Sequence, residues 1–351
     1  MQMATLAPNP IVPTRKRLIR RALPDRSQTL RHGFQLAFLA LNVWMGLEFY
    51  LFVRYFETGG RSIRVDRPAG VEGWLPIASL MNLKVFLLTG AIPRLHPAGM
   101  FLLVAFLAMS WLFRKSFCGW LCPVGSLSEY LWRLGQKAFV RNFRLPRGFD
   151  LVLRSLKYVL LGLFLYAVCS MSVPGIRAFL EGPYGIVDDV KMLNFFRFLG
   201  LSGGIVIALL VVLSVFVQNF WCRYLCPYGA LMGFASLVSP LRIRRDASLC
   251  IDCGKCAKAC PSALAVDQLI QIRSAECTGC LQCVASCPAA GALMLAAPGK
   301  KEVPAWIVAA GVALLFVGIC GFAQATGHWK TDLPNRIYQE LIPHANEFTH
   351  P

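Results

Sequence analysis

Apolar residues run in blocks along this chain, and the blocks have the length of a bilayer crossing. Four stretches, Gly33–Val53, Leu156–Ile176, Leu199–Gln218 and Val303–Phe322, reach the roughly 20 residues that a helix needs to cross the hydrocarbon core. A fifth, Pro97–Phe113, is shorter and carries no charge. Leu75–Pro93 is also apolar, but Pro76, Asn82, Lys84, Gly90 and Pro93 interrupt it. Broken backbone at membrane depth must be shielded by protein or water, so this segment is expected to be re-entrant or interfacial. The pattern predicts an all-α membrane protein with five transmembrane helices.

Composition agrees. Of 351 residues, 56% are hydrophobic and 15% charged, against about 25% charged in a soluble domain. A disordered chain is excluded and a soluble globule disfavoured. The net charge of +18 fits either a nucleic-acid partner or the cytoplasmic loops of a membrane protein. Its distribution decides. The segment before Gly33 holds seven Lys and Arg, Arg114–Lys157 nine and Asn219–Glu302 nine; the alternate segments hold six, three and two. The bias, 25 against 11, alternates strictly over five spans. By the positive-inside rule it predicts a multi-pass bacterial inner-membrane protein with a cytoplasmic N-terminus and a periplasmic C-terminus; no nucleic acid is needed. Residues 1–32 lack the apolar core of a signal peptide and read as a basic arm against anionic lipid.

Twelve of the 14 cysteines fall into patterns. Cys250-x2-Cys253-x2-Cys256-x3-Cys260-Pro261 is followed by Cys277-x2-Cys280-x2-Cys283-x3-Cys287-Pro288. In this bacterial ferredoxin run the fourth cysteine of each set ligates the other cluster. One [4Fe–4S] cluster is therefore expected on Cys250, Cys253, Cys256 and Cys287, and a second on Cys277, Cys280, Cys283 and Cys260. Zinc motifs have no use for the x3-Cys-Pro ending, and a disulfide framework needs an oxidising compartment. The insert carrying both clusters, residues 242–298, is small, and its iron is expected to supply much of its folding energy.

The other pattern occurs twice, 104 residues apart: Phe117-Cys118-Gly-Trp-Leu-Cys122-Pro123-Val-Gly125 and Trp221-Cys222-Arg-Tyr-Leu-Cys226-Pro227-Tyr-Gly229. Each follows the cytoplasmic end of a span, and the repeat divides the membrane part into two pseudo-symmetric halves. Proline suits the first turn of a helix, which would set the thiols beside a helix N-terminus that favours thiolate. Two thiols from each half give four ligands, enough for a third iron–sulfur centre; a redox-active dithiol pair or a metal-transfer site are the alternatives. Cys169 and Cys320 lie in apolar stretches and are assigned to packing.

With these motifs in view, the chain resembles the NapH-type polyferredoxin membrane proteins and the iron–sulfur half of the NosR-type proteins. The resemblance rests on the paired C-x3-C-P motifs, the double ferredoxin run, and Arg67-Pro-Ala-Gly-Val-Glu72-Gly-Trp-Leu-Pro-Ile77 leading into His96-Pro-Ala-Gly99. It implies electron transfer between the quinone pool and a redox partner, such as a periplasmic iron–sulfur or cytochrome subunit. The outside segments are too short for the flavin-bearing domain of the NosR type. The fifth span and the tail 323–351 depart from NapH, and the terminal β-domain of oxidase-assembly ferredoxins is missing.

Ionisable groups near spans are the candidates for a quinone site: Glu48, Glu72, Lys84, His96, and Tyr184 in the loop with Asp188 and Asp189. The expected layout is a basic arm (1–32), a four-span domain (33–241), a ferredoxin insert of α+β type (242–298), a fifth span (303–322) and a periplasmic tail (323–351). A metal-reducing or oxidase-assembly ferredoxin and a redox-sensing regulator are the alternatives to a quinol-linked relay. No phosphate-binding loop, dinucleotide fingerprint or nucleophile-plus-base motif is present.

Overall fold

A computed structural model describes residues 20–22, 25–139, 143 and 145–350; most of the basic arm lies outside them. Helix α1 (Ser27–Glu57) is followed by α2 (Pro76–Thr89), α3 (Pro97–Leu112), α4 (Pro123–Phe139) and α5 (Arg147–Ser170). The short helices α6 (Val173–Glu181), α7 (Pro183–Ile186) and α8 (Asp188–Arg197) lead to α9 (Leu201–Phe216) and α10 (Pro227–Leu237). The ferredoxin part holds the single-turn helices α11 (Lys255–Ala259) and α12 (Gln282–Ala285); α13 (Ala305–Ala325) and α14 (Asn335–Leu341) follow.

Three helices, α1, α5 and α13, are long and apolar enough to cross a membrane. Their outer faces leave Val43, Trp44, Leu163, Tyr166, Leu314 and Val317 more than half exposed, as lipid contact requires. At 16 residues each, α3 and α9 are about 24 Å long. Together α8 and α9 are apolar enough for a fourth span but are bent by 82° at the break between them.

The interrupted segment needs correction. Pro76–Thr89 is one continuous helix, and its apparent breakers have other uses. Pro76 occupies the first turn, where its missing N–H costs nothing, and Gly90 ends the helix in the left-handed conformation at φ 70°. Asn82 donates to the carbonyls of Leu95 and His96 at 2.8 and 3.0 Å. The third apolar stretch is also displaced: α5 starts nine residues before Leu156 and ends at Ser170. There Pro174 and the Ser172 cap, whose hydroxyl accepts from Gly175 N at 3.2 Å, begin α6. Cys320 is buried, but Cys169 is exposed on α5 and packs no core.

In the ferredoxin part, β1 (Arg242–Arg245) pairs antiparallel with β2 (Leu293–Ala296), Arg242 opposite Ala296. The part does not have a core to itself, however. Ile243, Val266, Ile272, Leu281 and Leu295 join one buried cluster with Leu102, Phe106 and Met109 of α3 and Val308 and Val312 of α13. The last described piece of the arm reaches this part too: Arg21 bridges Ala289, and Ala22 N donates to Pro288 O at 2.9 Å.

Candidate metal centre

The repeat is visible in backbone geometry. Both C-x3-C segments, Phe117–Leu121 and Trp221–Leu225, are single π-helical turns, a rare form associated with functional sites. Each closes through the amide of its second cysteine: Cys122 N donates to Phe117 O at 2.9 Å and Cys226 N to Trp221 O at 3.0 Å. Proline then starts α4 and α10. The amide three residues after each second cysteine points back at its sulfur, Gly125 N to Cys122 Sγ at 3.5 Å and Gly229 N to Cys226 Sγ at 3.2 Å.

The fold brings Cys118, Cys122, Cys222 and Cys226 together on one cavity, with Lys115, Glu129, Arg223, Glu276 and Cys280 in its wall. A second cavity is lined by Cys260, Cys277, Cys280 and Cys283. Cys280 borders both. The remaining four, Cys250, Cys253, Cys256 and Cys287, are more open, and Cys253 is exposed. Among the described residues no three Cys, His, Asp or Glu are arranged to hold a single metal ion.

The two cavities are pressed together by close backbone approach. A β-carbon at Gly119 would stand 2.7 Å from Thr278 O, and Trp120 Nε1 donates to Gly279 O at 3.1 Å. On α1, Gln28 Nε2 donates to Cys280 O at 3.0 Å. Arg31, fully buried, clasps Glu129 with contacts of 2.6 and 2.7 Å and donates to Gly119 O at 3.1 Å. Gln282 Nε2 also donates to Glu129, at 2.7 Å. One carboxylate on α4 therefore ties the first helix to the ferredoxin run.

Electrostatics discriminate between the uses of these thiols. Burial pushes the Cys118 thiol up to about 11 and raises those of Cys122 and Cys222 as well. At Cys122 desolvation outweighs the N-terminus of α4, which favours thiolate. A nucleophilic dithiol pair needs a lowered pKa, whereas a metal deprotonates its thiol ligands outright. Lys115 is buried among Cys118, Cys222 and Cys226, and these neighbours raise its pKa against the effect of burial. A buried ammonium facing sulfurs fits an anionic thiolate-bound group: four thiolates with iron supply that charge.

At the far ends of α1 and α13 lies a separate polar network. Arg67 pairs with Glu72 and Asp189, each at 2.7 Å. Glu72 accepts from Gly99 N at 3.1 Å and from Thr331 Oγ1 at 2.7 Å. His96, left-handed at φ 53°, donates through Nε2 to Gly185 O at 2.9 Å and turns Nδ1 to Glu72 at 3.6 Å. Glu72 is 0% and His96 2% exposed. Burial opposes both charges, but Arg67 and His96 hold Glu72 down at about 2, while Glu72 and Asp188 hold His96 up at about 9. An adjoining cavity is lined by Glu48, Arg67, Pro68, Gln324 and Trp329.

So three of the five proposed quinone residues gather around Arg67, and two stand apart. Lys84 donates to the carbonyls of Val168, Cys169 and Met171, capping the end of α5 as a cation should. Tyr184 packs on Phe179 and His350. The sequence reading missed Arg31, Glu129, Lys115, Lys157, Glu276 and Thr331. For Arg31, Lys115 and Lys157 the only signal was charge near a span end, which bears on topology alone; Glu129, Glu276 and Thr331 had none.

Comparison with known proteins gives matching features. A profile described as a 4Fe-4S binding domain matches twice, at residues 95–144 and 199–245, which are the two C-x3-C-P repeats. A 4Fe-4S dicluster domain matches residues 242–288. The chain is 48% identical over 328 residues to YccM of Escherichia coli K12, covering 92% of each chain; that protein's name assigns it to electron transport. It is 33% identical to the regulatory protein NosR of Pseudomonas aeruginosa over 46% of this chain and 22% of that one. It is 26% identical to the ferredoxin-type protein NapH of Haemophilus influenzae over 42% of this chain and 48% of NapH. No solved structure matches.

Proposed function

The chain belongs to the NapH/NosR-type family of iron–sulfur membrane proteins, and from that premise we propose that it carries electrons between the quinol pool and a respiratory redox partner through three [4Fe–4S] clusters. That it is a membrane-associated iron–sulfur electron-transfer protein follows from the family. The finer assignments are ours. Cys250, Cys253, Cys256 and Cys287 would hold the outermost cluster, and Cys277, Cys280, Cys283 and Cys260 the middle one. Cys118, Cys122, Cys222 and Cys226 would hold the third, where the repeats meet. Bound there, iron and sulfide supply reversible one-electron chemistry; the chain supplies ligands, charge and exclusion of water.

The observation that carries this reading is Cys280, which borders both enclosed cavities and so makes the middle and third sets neighbours. The exposed Cys253 gives the outermost set a surface for exchange with a soluble partner. Iron and sulfide assays on purified protein test the count. About twelve irons per chain, falling to about eight in Cys118→Ala, is the expected result. About eight in the unaltered protein sinks the third cluster.

For quinone we propose the cavity beside Glu48, with Arg67 linking it to Glu72 and His96. It lies where α1 presents Trp44 and Leu47 outward, so a lipid-dissolved ring has lateral access. We place this end at the periplasmic face of the bacterial inner membrane, with five spans and the N-terminus and ferredoxin part in the cytoplasm, as the basic segments demand. Glu48 is 17 residues along α1 from Arg31, about 26 Å. An electron entering there needs a carrier from the partner subunit to reach the cysteines. Glu72→Gln should slow cluster reduction by quinol at unchanged iron content, followed by electron paramagnetic resonance. Wild-type rates in that variant would move the quinone site elsewhere.

A further inference from the structure

Two cations, Lys115 and Arg223, and two carboxylates, Glu129 and Glu276, line the cavity of the four repeat cysteines, and the carboxylates are already engaged elsewhere. Glu129 is met by Arg31 and Arg133, both at 2.6 Å. Asp150 is met by Arg154 at 2.6 Å and Arg223 at 2.7 Å. Glu276 is met by Lys157 at 2.6 Å and takes a hydrogen bond from Tyr158 at 2.8 Å. Lys115 turns to the cysteines: a β-carbon at Gly229 would lie 3.5 Å from Cys226 Sγ and 3.7 Å from Lys115 Nζ. Lys115 is 4% exposed, and a charge at that depth needs partners. Glu276, which Lys157 and Tyr158 already hold, supplies part of that balance, and thiolates in the cavity would supply the rest.

Resting on the three-cluster reading above, we propose that Lys115 sets the reduction potential of the third centre by balancing the negative charge it gains on reduction. In that step the group held by Cys118, Cys122, Cys222 and Cys226 would gain one electron from its redox neighbour. No bond forms or breaks, and the added charge is met by Lys115 Nζ rather than by a proton. In a water-poor wall a fixed cation favours the more negative, reduced form. The repeat-related position carries Asn219, and the cation of the second half, Arg223, is paired with Asp150 at 2.7 Å, so Lys115 has no counterpart at its own position. Lys115 is thus a positioning residue for charge that makes the third centre easier to reduce.

The test is a potentiometric titration of the full chain in detergent, followed by electron paramagnetic resonance, for the unaltered protein, Lys115→Met and Lys115→Arg. In Lys115→Met the third centre should become at least tenfold harder to reduce at fixed potential, a fall of about 59 mV for one electron. The two ferredoxin-run signals should stay in place, and Lys115→Arg should stay near the unaltered value. If Lys115→Met loses the third centre's iron while Lys115→Arg keeps it, the charge requirement stands. An unmoved midpoint in a fully loaded Lys115→Met overturns the proposal, as does loss of the centre in both variants. If the unaltered protein holds only eight irons, the three-cluster reading itself has failed, which is a separate result.

Discussion

A methyl group at position 119 would have no room, because Thr278 O already stands 2.7 Å from where it would go. Gly119→Ala should push the π-helical turn away from the ferredoxin run, at an overpacking cost of about 1–3 kcal/mol. A lower Tm in detergent would register this; an unchanged Tm would show that the contact yields freely. Lys84 offers a contrast. Lys84→Met should lower Tm by uncapping α5 yet leave the quinol-reduction rate per loaded centre unchanged. His96 sets a pH dependence. Its folded pKa of about 9 lies above the ordinary 6.5, so its contribution to stability is complete below pH 6.5 and is lost as pH rises through 9. That of Glu72, held at about 2, is present above 4.5 and lost as pH falls through 2. Arg67, Asp188 and Asp189 are the other charges facing the pair. Tm should therefore decline from pH 6.5 to 9, and His96→Gln should remove that decline; the same slope in the variant would assign it to other groups.

At the scale of elements, Glu129 holds three pieces of chain that are far apart in sequence: α1 through Arg31 and Gln35, its own α4, and α12 through Gln282. Removing one partner of a buried ion pair costs about 3–5 kcal/mol. Glu129→Ala should thus free the start of α1, seen as faster amide exchange over residues 27–35; unaltered protection there would show that packing alone fixes it. Much at this scale was legible. Each C-x3-C-P did announce a turn followed by a helix, because Pro123 and Pro227 cannot continue a preceding helix but can begin a new one. The reading of Leu75–Pro93 was less accurate because Asn82 and Lys84 were weighed as breakers. Their side chains reach carbonyls on other elements, at 95, 96 and the end of α5, and a local pattern holds no trace of such partners. The same limit hid Lys115 and Lys157, whose charges look like loop charges until Glu276 and the cysteines stand beside them.

For the whole molecule, the two-cluster character of residues 242–288 was readable because cysteine spacing is dictated by cluster geometry, and β1 pairs with β2 across that run. Its dependence on the membrane part was not readable. Ile243, Ile272 and Leu295 look like the core of a small domain, and only the fold joins them to Phe106 and Val312. This revises the expected response to chelation. Stripping iron should loosen the ferredoxin part and also the halves of α3 and α13 packed against it, measurable as added amide exchange along both helices. Full protection of α3 and α13 after chelation would show that the cores are energetically separate.

The clasp between Arg31 and Glu129 also has a consequence in time. The ribosome makes α1 first, but its start is held by Glu129 and, through Gln28, by Cys280 O, residues that emerge nearly 100 and 250 positions later. The first helix can enter the bilayer long before its latch exists. Until residue 280 is made, the cavity of the repeat cysteines lacks the wall that Glu276, Thr278 and Cys280 supply, so it stays open to one side for as long as the ferredoxin run is still being synthesised.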